Sequence, residues 1–299
     1  MKQSAVIPVV LFAYARPDYL RRVLDCLRQN RVPLIEAFAD GAKGAADAAG
    51  VAATRELLRA VDWAEMRLTE RPANLGLGRN VLSGVDEAAA RHDAFLVWED
   101  DLICVPGTYD WMCAALRHYA DDPRVMSVSA WTHPRVAPPD IGSRPYFDGR
   151  AEAWTWGAYA RSWRGMTRDT AWDKMLRAEA AGKPRDAFGA DMPRMAREEL
   201  ARNIWAVRWF YHHLEQGGLC VRPPWSMVEH IGVDLRATNA AGSSEWDNPV
   251  LRPVPVGDWP VPALHPQCGP LWRRAFPSGW RRRWRSLLRR LAGPSAQAL

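Results

Sequence analysis

Three consecutive carboxylates, Glu99-Asp100-Asp101, close the apolar run Phe95-Leu96-Val97-Trp98. A run of this length and character reads as a buried strand, so its end delivers three negative charges into one small space. Carboxylates held so close resist ionising together and favour a neighbouring cation. A hard, oxygen-seeking divalent ion such as Mg²⁺ or Mn²⁺ suits them, and such ions commonly arrive with a substrate phosphate. A solvated acidic turn after a strand is the competing reading, and these residues alone leave both open.

The elements that must position this cluster alternate between strand and helix over the first 130 residues. Residues 6–14 form a strand-like run, and Pro17 and Asp18 stand where a helix would start. Leu20, Val23, Leu24 and Leu27 then recur at i, i+3, i+4 and i+7, one apolar helix face. A short strand at 34–39 ends in Asp40-Gly41; an Ala-rich helix follows at 45–61 and a third strand at 66–69. Helix is expected at 77–90, strand at 94–98, helix at 107–119 and strand at 125–129. This alternation implies an α/β fold with a mostly parallel sheet flanked by helices, in which ligands bind at the carboxyl ends of strands. Asp40 and the acidic triplet both occupy such ends. After Ala130 the pattern breaks at Pro134, Pro138, Pro139 and Pro145, and a Trp-rich region opens at Trp154-Thr155-Trp156-Gly157. Helices are expected at 169–181 and 192–216, a short strand at 219–221, and a Pro/Gly-rich surface wrap beyond Gly242.

With 48% apolar residues the 299-residue chain is ordinary for a globular protein, and no segment is long and apolar enough to span a membrane. The first run contains Pro8 and lacks a small-residue cleavage site, so no secretory leader is expected. Five dispersed cysteines without CxxC spacing argue against a disulfide framework and a structural zinc site. The net charge of +6 comes from the end of the chain: eight arginines and no acid lie in 271–299, leaving 32 basic against 34 acidic residues elsewhere. The body is therefore near −2, and a nucleic-acid-binding face is not expected.

The motifs resemble those of nucleotide-sugar-dependent glycosyltransferases of the GT-A (Rossmann-like) fold, in the large bacterial family-2-like group. The resemblance rests on Tyr14-Ala15-Arg16-Pro17, Phe38-Ala39-Asp40-Gly41, Asn74-Leu75-Gly76-Leu77-Gly78-Arg79-Asn80, Val97-Trp98-Glu99-Asp100-Asp101, Trp154-Thr155-Trp156-Gly157 and Trp205-Ala206-Val207-Arg208-Trp209, in that order. The Glu-Asp-Asp form also resembles the motif of the animal N-acetylglucosaminyltransferase I family. It implies a GT-A domain over 1–240, with a nucleotide-sugar half at 1–130 and an acceptor half at 131–240, then the wrap at 241–276 and a basic tail at 277–299.

By this resemblance Asp101 is the direct metal ligand, Asp100 faces the ribose or donor sugar, and Glu99 supports them. Mn²⁺ or Mg²⁺ would be the cofactor and a nucleoside-diphosphate sugar the donor, with a UDP-sugar favoured. Asp40 resembles the residue that accepts hydrogen bonds from the uracil or ribose, although Asp-Gly also turns without any ligand. Arg16, Arg71 and Arg79 are candidate diphosphate contacts, or solvated charges, and backbone amides of 74–80 could face the nucleotide. Trp154 and Trp156 are two apart, which on an extended segment places both on one face. That suits a sugar platform as well as core packing. The base that an inverting transfer needs is sought among Glu152, Asp191 and Glu229, with Glu152 preferred because it adjoins the aromatic segment. Relatives carry Gly-Thr-His where Ala237-Thr238-Asn239 stands here, which makes His230 the candidate to assist the metal. His212 and His213 fall on a helix and read as packing or surface residues.

In the tail, Trp280, Trp284, Leu287, Leu288 and Leu291 form an apolar stripe among arginines. This is the pattern of a basic helix lying on an anionic membrane surface through 277–291, or of one packing on the body. The expectation is a metal-dependent, inverting glycosyltransferase acting on a glycan, lipid-linked or small-molecule acceptor. It would be cytoplasmic, with peripheral attachment to the inner membrane face as the option the tail opens. A nucleotidyltransferase and a non-catalytic glycan- or nucleotide-sugar-binding protein on the same fold are the alternatives. Against the first, Tyr14-Ala15-Arg16-Pro17 is no Gly-rich phosphate loop.

Overall fold

A computed structural model describes residues 6–232 and 251–277. The Ala237-Thr238-Asn239 segment and the apolar stripe from Trp280 to Leu291 lie outside the described residues. In chain order the elements are β1 (Val9–Ala13), α1 (Pro17–Gln29), β2 (Leu34–Ala39), α2 (Ala45–Arg59), β3 (Glu65–Glu70), α3 (Leu77–Arg91), β4 (Ala94–Glu99), β5 (Leu102–Cys104), α4 (Thr108–His118) and β6 (Val125–Ser129). There follow β7 (Tyr146–Asp148), β8 (Trp156–Tyr159), α5 (Ala160–Trp163), α6 (Ala171–Ala180), α7 (Asp191–Arg202), α8 (Ala206–Gln216), β9 (Leu219–Arg222), β10 (Val228–His230) and α9 (Cys268–Ala275).

Eight strands form one sheet in the order β3-β2-β1-β4-β8-β6-β9-β7, while β10 and β5 pair separately. Strands β3, β2, β1 and β4 are mutually parallel, as are β6 and β9; β8 and β7 run against their neighbours. The result is the expected α/β architecture, a mostly parallel sheet flanked by helices. The apolar sequence of β1, and of β2 apart from Glu36, follows from this placement, since both are buried along their whole length. Helix α1 buries Leu20, Val23, Leu24 and Leu27, the stripe its sequence carries, and Pro17 starts it at a position that needs no amide donor. Helix α3 lies close on the sheet at Gly84, where a Cβ would run into Phe12 and Phe38.

The register levels the strand ends. Phe12 stands opposite Phe38 on one side and Glu99 on the other, so the exits of β1, β2 and β4 share one edge. The chain builds outward from β1 through β2 to β3, then returns to place β4 on the other flank of β1. The topological switch point, where open α/β sheets bind ligands, therefore falls between the exits of β1 and β4.

Two expectations differ from the structure here. The helix expected at 192–216 is two helices, because Asn203 adopts a left-handed conformation (φ 54°) that short polar side chains tolerate and that ends α7. The segment beyond Gly242 is more than a wrap in its described part. Trp259 packs on Trp111, and α9 brings Trp272 into a hydrogen bond with Asp148 on β7 (2.7 Å).

Helices α5 and α8 pack on the sheet through a tryptophan cluster. Trp163 and Trp209 lie 5.6 and 5.4 Å from Trp156, and Trp205, just before α8, lies 5.7 Å from it. His213 on α8 is fully buried and meets the Ser127 hydroxyl of β6 at 3.2 Å. Burial pushes this imidazole down to about 3, so it is neutral in the folded protein. In the unfolded chain it returns to an ordinary value near 6.5, so between those values the unfolded state binds the extra proton. Stability carried by neutral His213 is complete above about pH 6.5 and falls by about 2 kcal/mol at pH 5. The expected outcome is that His213 ring resonances do not titrate between pH 7.5 and 4.5, while the urea-unfolding free energy declines below pH 6.5. A ring titration near 6.5 would contradict this burial.

Candidate functional site

A cavity of about 620 Å³ opens at the switch point. Its near wall is made by the exits of β1, β2 and β4; its far wall by the 131–154 region, the start of α7, the α7–α8 corner, His230 and Trp272. The acidic triplet lies between them. Asp100 and Asp101 are buried, and Glu99 is half-buried.

The turn after β1 is shaped around these carboxylates. Ala15 takes a positive φ of 47°, an uncommon conformation for a residue with a Cβ. It turns the chain so that the Tyr14 amide donates to Asp100 Oδ2 (2.8 Å). Arg16, the N-cap of α1, bridges the triplet: its guanidinium donates to Asp100 and ion-pairs with Asp101 Oδ2 at 2.8 Å. On the other side, β10 carries His230 to within 3.5 Å of Asp101 Oδ2, and the Ile231 amide donates to the Asp101 carbonyl (2.9 Å).

One guanidinium does not balance three carboxyls. Burial, with the charges of Asp101 and Asp100, pushes Glu99 up to about 8. Burial raises Asp100 to about 7 against the pull of Arg16. Burial opposes the charge on Arg16, but Asp100 and Asp101 outweigh it and hold the guanidinium above its ordinary value. Burial also lowers His230, against Asp101, so the imidazole is neutral and able to offer a lone pair. Asp101 Oδ1 is buried without a hydrogen-bond partner among the described residues, and so is His230 Nδ1. Gly232 supplies the room, since a Cβ there would collide with the Asp101 carboxylate. Among the described residues no group of three or more His, Cys, Asp or Glu side chains is arranged to hold a metal ion by itself. What is present is one under-satisfied carboxylate beside one imidazole. That donor set fits an oxygen-seeking divalent ion whose other ligands come from a bound phosphate and water.

Asp40 lies at the same edge, buried, with its lone pairs engaged inside the protein. Oδ1 accepts from the Gly41 and Leu75 amides (2.9 and 2.8 Å), and Oδ2 from the Gly76 amide and the Asn74 side chain (2.9 and 3.1 Å). A carboxylate offers about four acceptor sites, so none remains for a nucleobase. Its task here is to pin the 74–76 loop to the end of β2. Gly76 and Gly78 in turn touch the Asn203 side chain, leaving no space for a Cβ at either position.

The remaining expected residues divide. Trp154 lines the cavity and stacks on His230 (4.8 Å between centroids, 16° between planes). Trp156 does not. It is fully buried in β8, because Thr155 (φ 40°) interrupts the extended backbone on which the shared face depended. Glu152 and Asp191 line the cavity, whereas Glu229 is exposed and lies outside it. In β10 alternate residues face opposite ways, so placing His230 at the cavity turns Glu229 to solvent. Arg71 is folded over the Phe38 ring and bonded to Asn80, Ser83 and Glu87; Arg79 is exposed and donates to the Leu75 carbonyl. Neither lines the cavity. His212 and His213 are packing residues.

Two cavity residues, and a third behind the cavity wall, carried no signal in the sequence. Trp272 is one: α9 delivers it from more than a hundred residues beyond the strand it meets. Arg150 is another. Its guanidinium grips both oxygens of Asp191 (3.1 and 2.8 Å) and lies over the Trp272 ring (4.2 Å). Arg222, fully buried on β9, pairs with Asp148 (2.9 Å) and Glu152 (3.2 Å) and donates to the carbonyls of Trp131 and Arg150 (both 2.9 Å).

No protein-family model matches the sequence, and no curated protein matches it. Among solved structures, a mannosyltransferase from Pyrobaculum calidifontis in complex with GDP-Man and Mn²⁺ is similar at 12% identity and a TM-score of 0.40, over 55% of this chain and 48% of that one. A putative glucose-1-phosphate thymidylyltransferase from Bacillus anthracis, in complex with a sucrose, is similar at 7% identity and a TM-score of 0.32, over 54% of this chain and 74% of that one. The chain thus spans about half the length of the mannosyltransferase, and at these scores neither likeness bears on the chemistry. No helix among the described residues is long and apolar enough to cross a membrane.

The Asp40 geometry makes a direct prediction. Asp40→Asn replaces one acceptor oxygen with an amide donor, which must face the amide of either Leu75 or Gly76. It should cost about 1–3 kcal/mol, read by urea denaturation, with faster hydrogen exchange at those two amides. Unchanged stability and exchange would show that Asp40 does not hold the loop.

Proposed function

We propose that this protein is a metal-assisted glycosyltransferase that moves a sugar from a nucleoside-diphosphate sugar to an acceptor hydroxyl. One observation carries the reading. At the switch point of an α/β sheet, Arg16 and the half-compensated Glu99-Asp100-Asp101 cluster meet in a cavity whose opposite wall offers the Trp154 ring and the Glu152 carboxylate. A phosphate binder, a cation site, an aromatic face and a candidate base therefore surround one space.

In this proposal Asp101, with His230 beside it, holds Mn²⁺ or Mg²⁺. When bound, that ion offsets the charge that develops on the departing diphosphate. Arg16 takes part of the same charge. The 74–76 loop, held by Asp40, backs the nucleotide with main chain. Trp154 supports the apolar face of a sugar ring. Glu152 is the favoured base. Asp191 has both oxygens locked in the Arg150 fork, whereas Glu152 meets Arg222 through Oε2 alone at 3.2 Å, its Oε1 accepting from the Ala153 and Trp154 amides. The acceptor oxygen bonds to the anomeric carbon as its proton passes to Glu152. The bond from that carbon to the diphosphate oxygen breaks, and the diphosphate leaves with the electron pair. Attack opposite the leaving group inverts the anomeric centre. A UDP-sugar is the favoured donor, and a glycan or lipid-linked acceptor fits an open, aromatic-lined wall.

Thermal unfolding with UDP, GDP, CMP and dTDP, each with and without Mn²⁺, tests the site. A nucleotide at about a hundred times its Kd stabilises by roughly 2.7 kcal/mol, a rise of several degrees that should require the metal and vanish in Asp101→Asn. No shift with any nucleotide would remove the donor site from the proposal. Turnover distinguishes the rival transferase, since release of pyrophosphate in place of a nucleoside diphosphate would mark a nucleotidyltransferase. Glu152→Gln should lower kcat by about 10²–10⁴-fold while leaving the nucleotide-dependent shift in place; an unchanged kcat would rule Glu152 out as the base.

A further inference from the structure

We propose that Arg16 competes with the divalent cation for Asp101, and that this competition makes cation and nucleotide binding mutually dependent. The inference rests on the proposed transferase reading and adds to it an internal control on how the site loads.

The geometry supplies both contenders with the same carboxylate. Arg16 reaches Asp101 Oδ2 at 2.8 Å and bonds Asp100 at the same time, so its fork spans two of the three acids. Asp101 is 5% exposed, and its second oxygen, Oδ1, is buried with no partner among the described residues. A cation arriving at Oδ1 would share a single carboxylate with a guanidinium already on Oδ2. Two positive groups on the two oxygens of one carboxylate repel each other. Alone, therefore, the cation binds against Arg16.

A diphosphate reverses the balance. Its oxygens can take the cation on one side and the guanidinium on the other, so the two positive groups come to share an anion. Arginine suits this exchange because its planar fork matches carboxylate and phosphate alike. The backbone of Arg16 is held in place. The Tyr14 amide is tied to Asp100, the Arg16 carbonyl accepts from Leu20, and Pro17 sets the first turn of α1. The guanidinium rests half-buried against the Tyr19 ring (5.5 Å), on the cavity side. Only a swing about the side-chain torsions is needed to change partners. By linkage, a nucleotide that strengthens cation binding is itself strengthened by the cation to the same degree.

The test is a Mn²⁺ titration followed by electron paramagnetic resonance of the free ion, without nucleotide and with saturating UDP, GDP or dTDP. It is run on the unaltered protein, Arg16→Gln and Arg16→Lys, each checked for folding by circular dichroism. In the unaltered protein one nucleotide should tighten Mn²⁺ binding within the roughly 5–150-fold range typical of coupled sites. Arg16→Gln should bind Mn²⁺ alone about tenfold tighter or better, and the enhancement by nucleotide should shrink towards unity. Arg16→Lys keeps the charge without the fork, so it should lie between the two, which separates bridging from net charge. If Arg16→Gln binds Mn²⁺ with unchanged affinity, or tighter with the enhancement intact, the inference fails and the transferase reading stands. If no protein in the series binds Mn²⁺ with any nucleotide, both fall.

Discussion

Crowding three adjacent carboxyl groups at the end of β4, two of them buried, is the constraint on which the rest of the structure turns. Each of them would be hydrated in an unfolded chain, and none has enough hydrogen-bond donors in the folded one to replace that water. Neighbouring elements are arranged to reduce the deficit. The left-handed Ala15 aims the Tyr14 amide at Asp100; Arg16 takes the N-cap of α1 to bridge two of the acids; the small β5–β10 sheet brings His230 alongside; Gly232 leaves the carboxylate uncrowded. The deficit remains, visible in the raised Glu99 and Asp100 and in the unpartnered oxygen of Asp101.

A second buried charge, beyond the far wall of the cavity, is much better compensated. Arg222 is fully buried, and it meets Asp148, Glu152 and two main-chain carbonyls at 2.9–3.2 Å. Asp148 in turn receives the Trp272 indole, which ties α9 to β7. A network closed in this way rigidifies the wall around it. The two clusters differ physically: around Arg222 the opposite charges and main-chain carbonyls nearly balance, whereas at the end of β4 negative charge is left in excess.

How much of this was legible in the sequence depended on the range over which each feature is decided. Strands β1, β2 and β4 and helices α1 and α3 are written in local periodicity, so their places, and the sheet-end position of Asp40 and Glu99-Asp100-Asp101, could be read directly. The second half was harder because its turning points are single residues. Asn203 breaks a pattern whose apolar spacing runs on without pause, and Thr155 twists Trp156 into the core while leaving Trp154 at the cavity. Arg71 and Arg79 looked equivalent to Arg16 as free cations, but α3 and Phe38 claim the first and solvent the second. Glu229 was misplaced through a strand too short to show its alternation. The saturation of Asp40 was invisible for a different reason, since it depends on amides more than thirty residues away.

The contact of Asn203 with Gly76 and Gly78 has a historical side. The helix corner rests directly on the main chain of the loop, and a methyl group at either glycine would strike the asparagine amide. Two neighbouring glycines and a residue more than a hundred positions further on are thereby bound into one epistatic unit. Neither glycine is free to drift while Asn203 stands, and a smaller residue at 203 gives up a side chain suited to the left-handed turn between α7 and α8. Substitutions at these sites can accumulate only in an order that vacates the corner before the loop is filled, so the path open to descendants of this sequence is set by the geometry of a single side chain.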